Sequence, residues 1–259
     1  MSNDRLSRRR ILKLGAGAAA VAGLAGCGPI GKSDGVLDIL GQAEKLTERV
    51  QRFILSSGQL AREFSESDIS PYFLANGSTD PQEPGYRAHA AEGFASWRLE
   101  IGGLVERPTS YSLDELRAMP SRTQITRHDC VEGWSCIGKW KGVKLSHLLE
   151  QTGIAANARY VVFHCADALE QTMDGSGQYY ESIAMVDAFH PQTILAYEMN
   201  DETLPIPYGA PVRLRLERQL GYKMAKYIMR IELVESFAQI GRGRGGFWED
   251  RGYEWYAGI

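Results

Sequence analysis

Short stretches in which apolar and polar side chains alternate constrain the fold of this chain most strongly, because a period of two is typical of a half-buried β-strand. Residues 97–101 alternate in this way, and so do residues 212–217. Tyr160–Phe163 and Tyr227–Val234 are short runs of apolar residues, β-branched or aromatic in large part, which also favour strands. The chain is therefore predicted to build its core from several short strands.

Two short helices are predicted between these strands. Ser112 and Glu115 have the spacing of a capping box, and the helix that they open ends before Pro120. A second helix is predicted over Leu145–Gln151, with Gly153 just past its end. Brief helices among many short strands indicate the α+β class, with one compact mixed-sheet domain over about residues 60–240.

The segments that flank this domain have a different composition. Residues 27–59 are predicted to form a linker rich in Gly, Pro and Ser, followed by a helix with one apolar stripe. Residues 241–259 form a tail in which a Gly-rich stretch precedes five aromatic residues. Such a tail is expected to pack over the domain, and a surface that docks a partner is the alternative.

Residues 1–26 have the layout of an export signal. Basic residues precede the uncharged run Leu14–Gly26, whose thirteen residues rise only ~20 Å as a helix and are too short for a ~30 Å hydrocarbon core. Arg8-Arg9 with Leu12-Lys13 resembles a twin-arginine export signal. Residues 24–27 resemble a lipobox, in which Cys27 is acylated after cleavage. We expect a periplasmic or extracytoplasmic location, with a lipid anchor at Cys27 or ordinary cleavage nearby.

The charge of the chain gives no support to nucleic-acid binding. The whole sequence has 29 Lys and Arg against 32 Asp and Glu, a formal net charge of −3. Residues 1–26 carry a net positive charge, so the net charge of the remaining chain is more negative than −3.

Three cysteines remain once Cys27 is assigned to the signal, namely Cys130, Cys136 and Cys165. An odd number leaves at least one thiol unpaired, and a Cys130–Cys136 or Cys136–Cys165 disulfide is one interpretation. No C-x-x-C motif indicates a thioredoxin-like site or a zinc ribbon. Basic and aromatic residues surround Cys130 in the sequence, and we expect cations there to lower the pKa of its thiol and to favour the thiolate that binds soft metals.

Residues 127–135, together with Trp140–Leu145, resemble the metal-binding segment of the sulfite oxidase-type molybdopterin-dependent oxidoreductases. Four more blocks follow in that family's order, at residues 180–183, 190–200, 209–214 and 221–226. The resemblance covers about residues 70–235 and is closest to the exported bacterial members. It implies the family's molybdopterin-binding fold and a molybdenum cofactor with one pterin per metal.

Position by position, the resemblance implies that Cys130 is the thiolate ligand of molybdenum, beside the two dithiolene sulfurs of molybdopterin and oxo or water groups. Arg213 matches the residue that holds the pterin phosphate, for which a planar guanidinium is well shaped. Further candidate cofactor contacts are Asn76, Cys165 where relatives carry Thr, Tyr208 where relatives often carry Asn or His, and the phosphate clamp Met224, Ala225 and Lys226.

The resemblance also implies two-electron oxygen-atom transfer on a sulfur compound. Arg127, Trp134 and Tyr180 are candidates for the substrate side of the metal. Oxidation of sulfite requires a cationic pocket, whereas reduction of a small or protein-bound methionine sulfoxide tolerates a more open, aromatic one. The mixture of these three residues favours neither direction.

The sequence has no haem-binding segment, so the resemblance implies a separate electron partner, either a membrane cytochrome or a soluble c-type cytochrome. A monomeric catalytic subunit is expected. Two other functions stay open, namely a cofactor-free extracytoplasmic binding lipoprotein on the same fold and a thiol-redox protein that uses Cys130 and Cys136. A hydrolase triad of Ser135, His128 and Asp129 is disfavoured because no G-x-S-x-G motif is present.

Overall fold

The computed structural model describes residues 46–51 and 58–259. The chain divides into two compact units, Met1–Ile54 and Leu55–Ile259. Residues 46–51 are helical, as predicted for the end of the N-terminal segment. The predicted export signal, Cys27 and the linker lie outside the described residues. Over residues 46–51 and 58–259, no helix combines the length and the hydrophobicity needed to traverse a bilayer.

Within residues 58–259, the chain forms ten strands and four α-helices, joined by turns and short 3₁₀ helices. The strands are β1 (Arg98–Gly103), β2 (Thr109–Ser112), β3 (Ser121–Asp129), β4 (Ser135–Lys144), β5 (Tyr160–Ala168), β6 (Gln178–Ala184), β7 (Ile194–Met199), β8 (Glu202–Thr203), β9 (Arg213–Arg215) and β10 (Ile228–Val234). The helices are α1 (Pro84–Ala91), α2 (Leu113–Ala118), α3 (Leu145–Thr152) and α4 (Met185–Ala188).

The strands form two sheets, of which the first is mixed and the second is antiparallel, and together with the short helices they confirm the predicted α+β class. The first sheet has the order β2-β1-β10-β5-β6, in which β1 and β10 are parallel and the other neighbours are antiparallel. The second sheet has the antiparallel order β3-β4-β7-β8, and β9 pairs with β7 beside β8.

The helix signals in the sequence are confirmed. At the start of α2, the Ser112 hydroxyl accepts a hydrogen bond from the Glu115 N–H at 3.2 Å, and the Glu115 carboxylate accepts one from the Ser112 N–H at 2.7 Å. The helix α3 ends at Thr152, and Gly153 follows it with a positive φ of 69°. Local side-chain chemistry therefore fixes where these helices begin and end.

Of the two strands predicted from the alternation of apolar and polar residues, one has the expected burial and the other does not. Trp97, Leu99 and Ile101 are buried in the larger apolar core, as their spacing indicates. In β9, however, Arg213 and Arg215 are as fully buried as the apolar residues between and around them. The alternation at residues 212–217 thus marks a strand that is buried on both faces.

A long hairpin carries the candidate metal ligand. The strands β3 and β4 pair without a break from Ser121 with Val143 to Asp129 with Ser135, and the loop 130–134 joins them. A second, smaller apolar cluster that contains Phe73, Cys136 and Trp140 packs on this hairpin. The hairpin therefore holds Cys130 at the end of a rigid, well-paired ribbon.

Gly142 makes the pairing of β4 with β7 possible, because a Cβ atom there would overlap the backbone carbonyl of Leu195. We expect Gly142→Ala to lower the free energy of unfolding by about 1–3 kcal/mol through overpacking. Gly102→Ala in β1 is the matched control, since no atom lies within 4 Å of the position of its Cβ. That control should be neutral or stabilising by about 0.4–1 kcal/mol.

Urea denaturation of both variants measures the difference. Equal midpoints for Gly142→Ala and Gly102→Ala would contradict the close approach of β4 and β7.

Candidate functional site

Cys130 is the first residue of the hairpin loop. Its N–H donates a hydrogen bond to the Trp134 carbonyl at 2.9 Å, and its own carbonyl accepts one from the Gly133 N–H at 3.0 Å. Gly133 adopts a positive φ of 89°, a conformation that favours glycine. The loop is thus closed by its own backbone, and it leaves the Cys130 side chain 8% exposed.

The described cysteines, Cys130, Cys136 and Cys165, are free and buried. The Cys130–Cys136 and Cys136–Cys165 disulfides considered above are therefore absent from the structure. Cys136 belongs to the smaller apolar cluster, and its Sγ atom lies 3.7 Å from the Tyr72 carbonyl. A dithiol site built from Cys130 and Cys136 has no support in this arrangement.

The expectation that cations lower the pKa of Cys130 is wrong. Burial raises the pKa of its thiol, and the Glu132 carboxylate acts in the same direction. The Arg127 guanidinium instead pairs with Asp129 at 2.9 Å and is about half exposed. Burial, and then the Arg215 charge, hold the pKa of His128 well below its usual range. The sequence neighbours of Cys130 therefore do not supply it with positive charge.

The arrangement of Ser135, His128 and Asp129 is not that of a hydrolase triad. The Ser135 hydroxyl donates directly to the Asp129 carboxylate at 2.5 Å. The His128 ring points the other way, with its Nδ1 atom 3.3 Å from Met224 Sδ and 3.1 Å from an Arg215 nitrogen. No base is thus placed between serine and aspartate.

A cavity of about 120 Å³ opens beside Cys130. Five parts of the chain line it: the turn 76–78, the start of the hairpin loop at 130–132, the β5–β6 hairpin, the loop 221–226 and the tail. The side chains from the last three parts are Asp167, Leu169, Tyr179, Tyr222, Met224, Lys226, Trp248 and Tyr253. The cavity therefore combines one thiol, two acidic groups including Glu132, one ammonium and aromatic walls.

Lys226 brings a buried ammonium group to this cavity. Its Nζ atom donates to the carbonyl oxygens of Asn76 at 2.6 Å, of Pro207 at 3.1 Å and of Ser78. No carboxylate within the described residues pairs with it at ion-pair distance, and the side chain is 6% exposed. Burial, and then the nearby Arg213 charge, lower the pKa of Lys226 to about 7.

Arg213 is a second buried cation with incomplete hydrogen bonding. Its Nη1 atom donates to the Tyr208 carbonyl at 2.9 Å, while Nε and Nη2 are buried without a partner. Its guanidinium carbon lies 5.0 Å from the centre of the Trp140 ring. Burial and the Arg215 charge lower the pKa of Arg213 to about 9. Unpaired donors of this kind suit an anion with several acceptor oxygens.

Arg215 is buried beside Arg213 and is fully paired. Its guanidinium donates to both carboxylate oxygens of Glu217, at 2.9 and 2.7 Å, and a third nitrogen contacts His128. Gln124 completes the network by donating to the same Glu217 carboxylate at 2.8 Å. Of these two neighbouring arginines, only Arg213 has donors available for a ligand.

The other predicted cofactor contacts have different placements. Met224 lines the cavity, and the Asn76 backbone contributes through its contact with Lys226. Ala225 is fully buried, and its carbonyl accepts a hydrogen bond from the Leu214 N–H at 2.8 Å. The Tyr208 hydroxyl donates to the Phe73 carbonyl at 2.9 Å, away from the cavity. Cys165 is buried in β5, and burial raises the pKa of its thiol well above the usual range.

The three residues predicted for the substrate side do not line the cavity beside Cys130. Trp134 donates from Nε1 to the Glu132 carboxylate at 2.9 Å, so it supports the loop from outside. Tyr180 lines a different pocket, where its hydroxyl donates to Asp250 at 2.7 Å. Arg127 faces solvent, as described above. These assignments stay predictions without a contact to the cavity in this structure.

Tyr179 takes the place in the cavity that the sequence analysis gave to Tyr180. Adjacent residues on a strand point to opposite faces, and on β6 it is Tyr179 whose side chain lines the cavity, with its hydroxyl donating to the Tyr222 carbonyl at 2.5 Å. Asp167 was also missed. It is buried with Oδ1 unpartnered, and burial raises its pKa to about 7. To find both residues from the sequence, one would need the register of the β5–β6 pairing, because it decides which side chains face the cavity.

The described residues contain no group of three or more His, Cys, Asp or Glu side chains arranged to hold a metal ion. A metal beside Cys130 would therefore need most of its ligands from a bound cofactor rather than from the protein.

Comparisons with known proteins identify the family to which this chain is similar. The family model for the oxidoreductase molybdopterin binding domain matches residues 87–239. A putative protein-methionine-sulfoxide reductase subunit of Azospira oryzae is 38% identical over 252 residues, which cover 97% of this chain and 88% of that protein. A protein-methionine-sulfoxide reductase catalytic subunit of Xanthomonas axonopodis is 35% identical over 168 residues, 62% of this chain and 52% of that protein.

Among solved structures, the sulfane dehydrogenase SoxCD from Paracoccus pantotrophus aligns with a TM-score of 0.48 and 22% identity. The alignment covers 55% of this chain and 39% of the SoxCD chain.

The two arginines of β9 give opposite predictions for the stability of the protein without ligand. Arg213→Met removes a buried charge that lacks a counter-ion, so we expect the free energy of unfolding to rise by about 1–4 kcal/mol. Arg215→Met leaves the buried Glu217 carboxylate without a cation, and should lower the free energy of unfolding by about 3–5 kcal/mol. Urea denaturation of both ligand-free variants measures these values, and a loss of stability in Arg213→Met would contradict the unpaired state of Arg213.

Proposed function

This chain belongs to the family of oxidoreductase molybdopterin-binding domains, and we propose that it is an exported molybdenum enzyme that removes the oxygen atom from a sulfoxide. Membership makes the chain an oxidoreductase with a molybdopterin-binding domain. The observation that carries the proposal is the unpaired Cys130 thiol, which lies in the wall of a cavity that also receives the buried Lys226 ammonium.

The buried donors of Arg213 and Lys226 fit the phosphate group of molybdopterin. Two of the three guanidinium nitrogens of Arg213 have no partner, and the Lys226 ammonium donates its hydrogen bonds to carbonyl oxygens. A phosphate would give Arg213 its missing acceptors and both cations a counter-charge. We assign the phosphate to these two residues and the metal to the Cys130 thiolate. When bound, the cofactor supplies a two-electron metal centre at which an oxygen atom is exchanged with the substrate.

The two positions that depart from the family pattern contribute differently. The Tyr208 side chain packs against Phe73, while the Tyr208 carbonyl accepts the Nη1–H of Arg213. We therefore assign Tyr208 the role of orienting Arg213 through its backbone. Cys165 is enclosed in the core next to Asp167 and Lys226, and its buried, protonated thiol fills space beside the cofactor site.

The charges around the cavity support a neutral substrate rather than a sulfite anion. Glu132 and Asp167 line it together with Lys226, whose ammonium we assign to the phosphate rather than to the substrate. Arg127, the cation that would attract sulfite, pairs with Asp129 outside the cavity. Trp248 and Tyr253 add aromatic walls, against which an alkyl sulfoxide packs well.

Reduction of a sulfoxide consumes two electrons and two protons and yields a sulfide and water. Asp167 is the residue that we assign to proton supply, because its raised pKa lets the carboxyl hold a proton near neutral pH and its Oδ1 atom has no partner. The relatives named above are subunits of protein-methionine-sulfoxide reductases. We therefore propose methionine sulfoxide, free or within a protein, as the substrate.

The location and the electron partner are also proposals. Arg8-Arg9 followed by an uncharged run supports export by the twin-arginine route to the periplasm, and Cys27 supports a lipid anchor there. The chain would act as a monomeric catalytic subunit that receives electrons from a membrane cytochrome or a c-type cytochrome.

Replacing the candidate metal ligand tests the function directly. Wild-type protein folded in cells that make the cofactor should contain about one Mo per chain, and X-ray absorption should show three sulfur neighbours, two from the pterin and one from Cys130. Cys130→Ser should lose one of them and all sulfoxide reductase activity. Cys136→Ser is the matched control, because Cys136 is equally buried in a different cluster.

An unchanged sulfur count in Cys130→Ser would refute the ligand assignment. The same preparation decides the direction of the reaction. We expect reduction of methionine sulfoxide with a reduced viologen dye, and oxidation of sulfite alone would contradict the proposed substrate.

Export is tested by exchanging the arginine pair. Arg8→Lys with Arg9→Lys should abolish transport, because the twin-arginine route reads this pair through a receptor. The full-length precursor should then stay in the cytoplasm of a bacterial host, as cell fractionation and immunoblotting would show. Arg5→Lys, outside the pair, is the control and should leave transport intact. Transport of the double variant by this route at the normal level would exclude the signal.

A further inference from the structure

Three charged side chains, none of which was assigned to the cofactor, meet in the interior of the protein. Lys223 donates from Nζ to Glu249 Oε1 at 2.5 Å and also to Glu181 Oε1. Each of the three side chains is at most 1% exposed. We call these residues the buried triad. Ionisable groups are rarely buried so completely unless they are paired.

The buried triad connects three segments that are distant in the sequence. Glu181 lies on β6, Lys223 ends the 3₁₀ turn Gly221–Lys223, and Glu249 begins the 3₁₀ turn Glu249–Arg251 of the tail. Burial lowers the pKa of Lys223, but the two carboxylates outweigh this and raise it. Burial, and then the Glu249 charge, raise the pKa of Glu181 well above its usual range.

Both turns that the buried triad joins also line the cavity beside Cys130. Gly221 and Tyr222 immediately precede Lys223 in the wall, and Trp248 immediately precedes Glu249. Tyr253 packs its ring on Trp248 in a stacked contact at 5.2 Å and meets the edge of the Tyr222 ring at 5.2 Å. The ion pairs behind the wall therefore fix the aromatic residues in front of it.

Neutral contacts hold the tail on either side of the buried triad. The Phe247 N–H donates to the Tyr180 carbonyl at 3.0 Å, and the Tyr222 hydroxyl donates to the Glu254 carbonyl at 2.7 Å. One further ion pair joins Arg251 of the tail to Glu170, whose side chain is half exposed. An ion pair at the surface contributes little to stability. The Arg251–Glu170 pair therefore serves as a comparison for the buried Lys223–Glu249 pair.

We propose that Lys223 is a positioning residue, which through Glu249 holds Trp248 and Tyr253 as one wall of the substrate cavity. The part of this proposal that concerns the substrate rests on the proposed function. Loss of the tie would let the tail move away from Tyr222 and would enlarge the cavity mouth, while Cys130, Arg213 and Lys226 would keep their places. Binding of a small sulfoxide should suffer more than its turnover.

Glu249→Ala tests the tie, because it removes the tail's link and leaves Lys223 paired with Glu181. Hydrogen exchange of the full-length chain should become about tenfold faster in residues 241–259 and stay unchanged in β3 and β4. Glu170→Ala, which removes the exposed tail ion pair, is the matched control and should leave exchange unchanged. Glu249→Gln keeps an acceptor for Lys223 and should restore most of the protection.

Steady-state kinetics of the molybdenum-loaded enzyme give the second readout. For dimethyl sulfoxide, Glu249→Ala should raise KM about fivefold or more and leave kcat within about a factor of two, since the wall only binds substrate. Unchanged exchange in the tail, or a fall in kcat with unchanged KM, would overturn the positioning role. Lys223→Met carries the same test if Glu249→Ala does not fold.

The two proposals fail separately. A wild-type chain without molybdenum would refute the proposed function, whereas the exchange measurement on that same chain still decides whether the buried triad holds the tail.

Discussion

Buried positive charge without an acidic partner is the constraint on which this site depends. Arg213 is fully enclosed with two donor nitrogens unsatisfied, and the Lys226 ammonium donates to backbone carbonyls with no carboxylate at ion-pair distance among the described residues. Burying such groups lowers the stability of the folded chain unless an anion compensates them. The fold keeps them in place through Trp140, Tyr208 and the turn at Asn76, and under the proposed function a phosphate group would compensate their charge.

Two other buried cations do have carboxylate partners. Arg215 has a bidentate carboxylate in Glu217, and Lys223 has two carboxylates. These paired charges surround the site without competing for its ligand. Paired cations such as Arg215 stabilise the protein, whereas the unpaired donors of Arg213 are those that we propose to bind the cofactor phosphate.

The sequence predicts best where the cause is local. The capping box of α2 and the glycine after α3 lie within a few residues of what they determine, and both are confirmed. Ordered motifs located Cys130, Met224 and Lys226, which the structure brings to one cavity. The pKa of Cys130 was mispredicted because its sequence neighbour Arg127 bonds elsewhere. Tyr179 was missed because the choice between adjacent strand residues depends on a register that sequence alone does not give.

The position of the tail at the end of the sequence bears on when the cavity closes. Trp248 and Tyr253 follow every other wall residue in chain order, so the compartment beside Cys130 is complete only after the ribosome has passed residue 253. Until Trp248 and Tyr253 are in place, the side of the cavity that they line is open. Under the proposed function, the cofactor would therefore enter before these two aromatic side chains cover it.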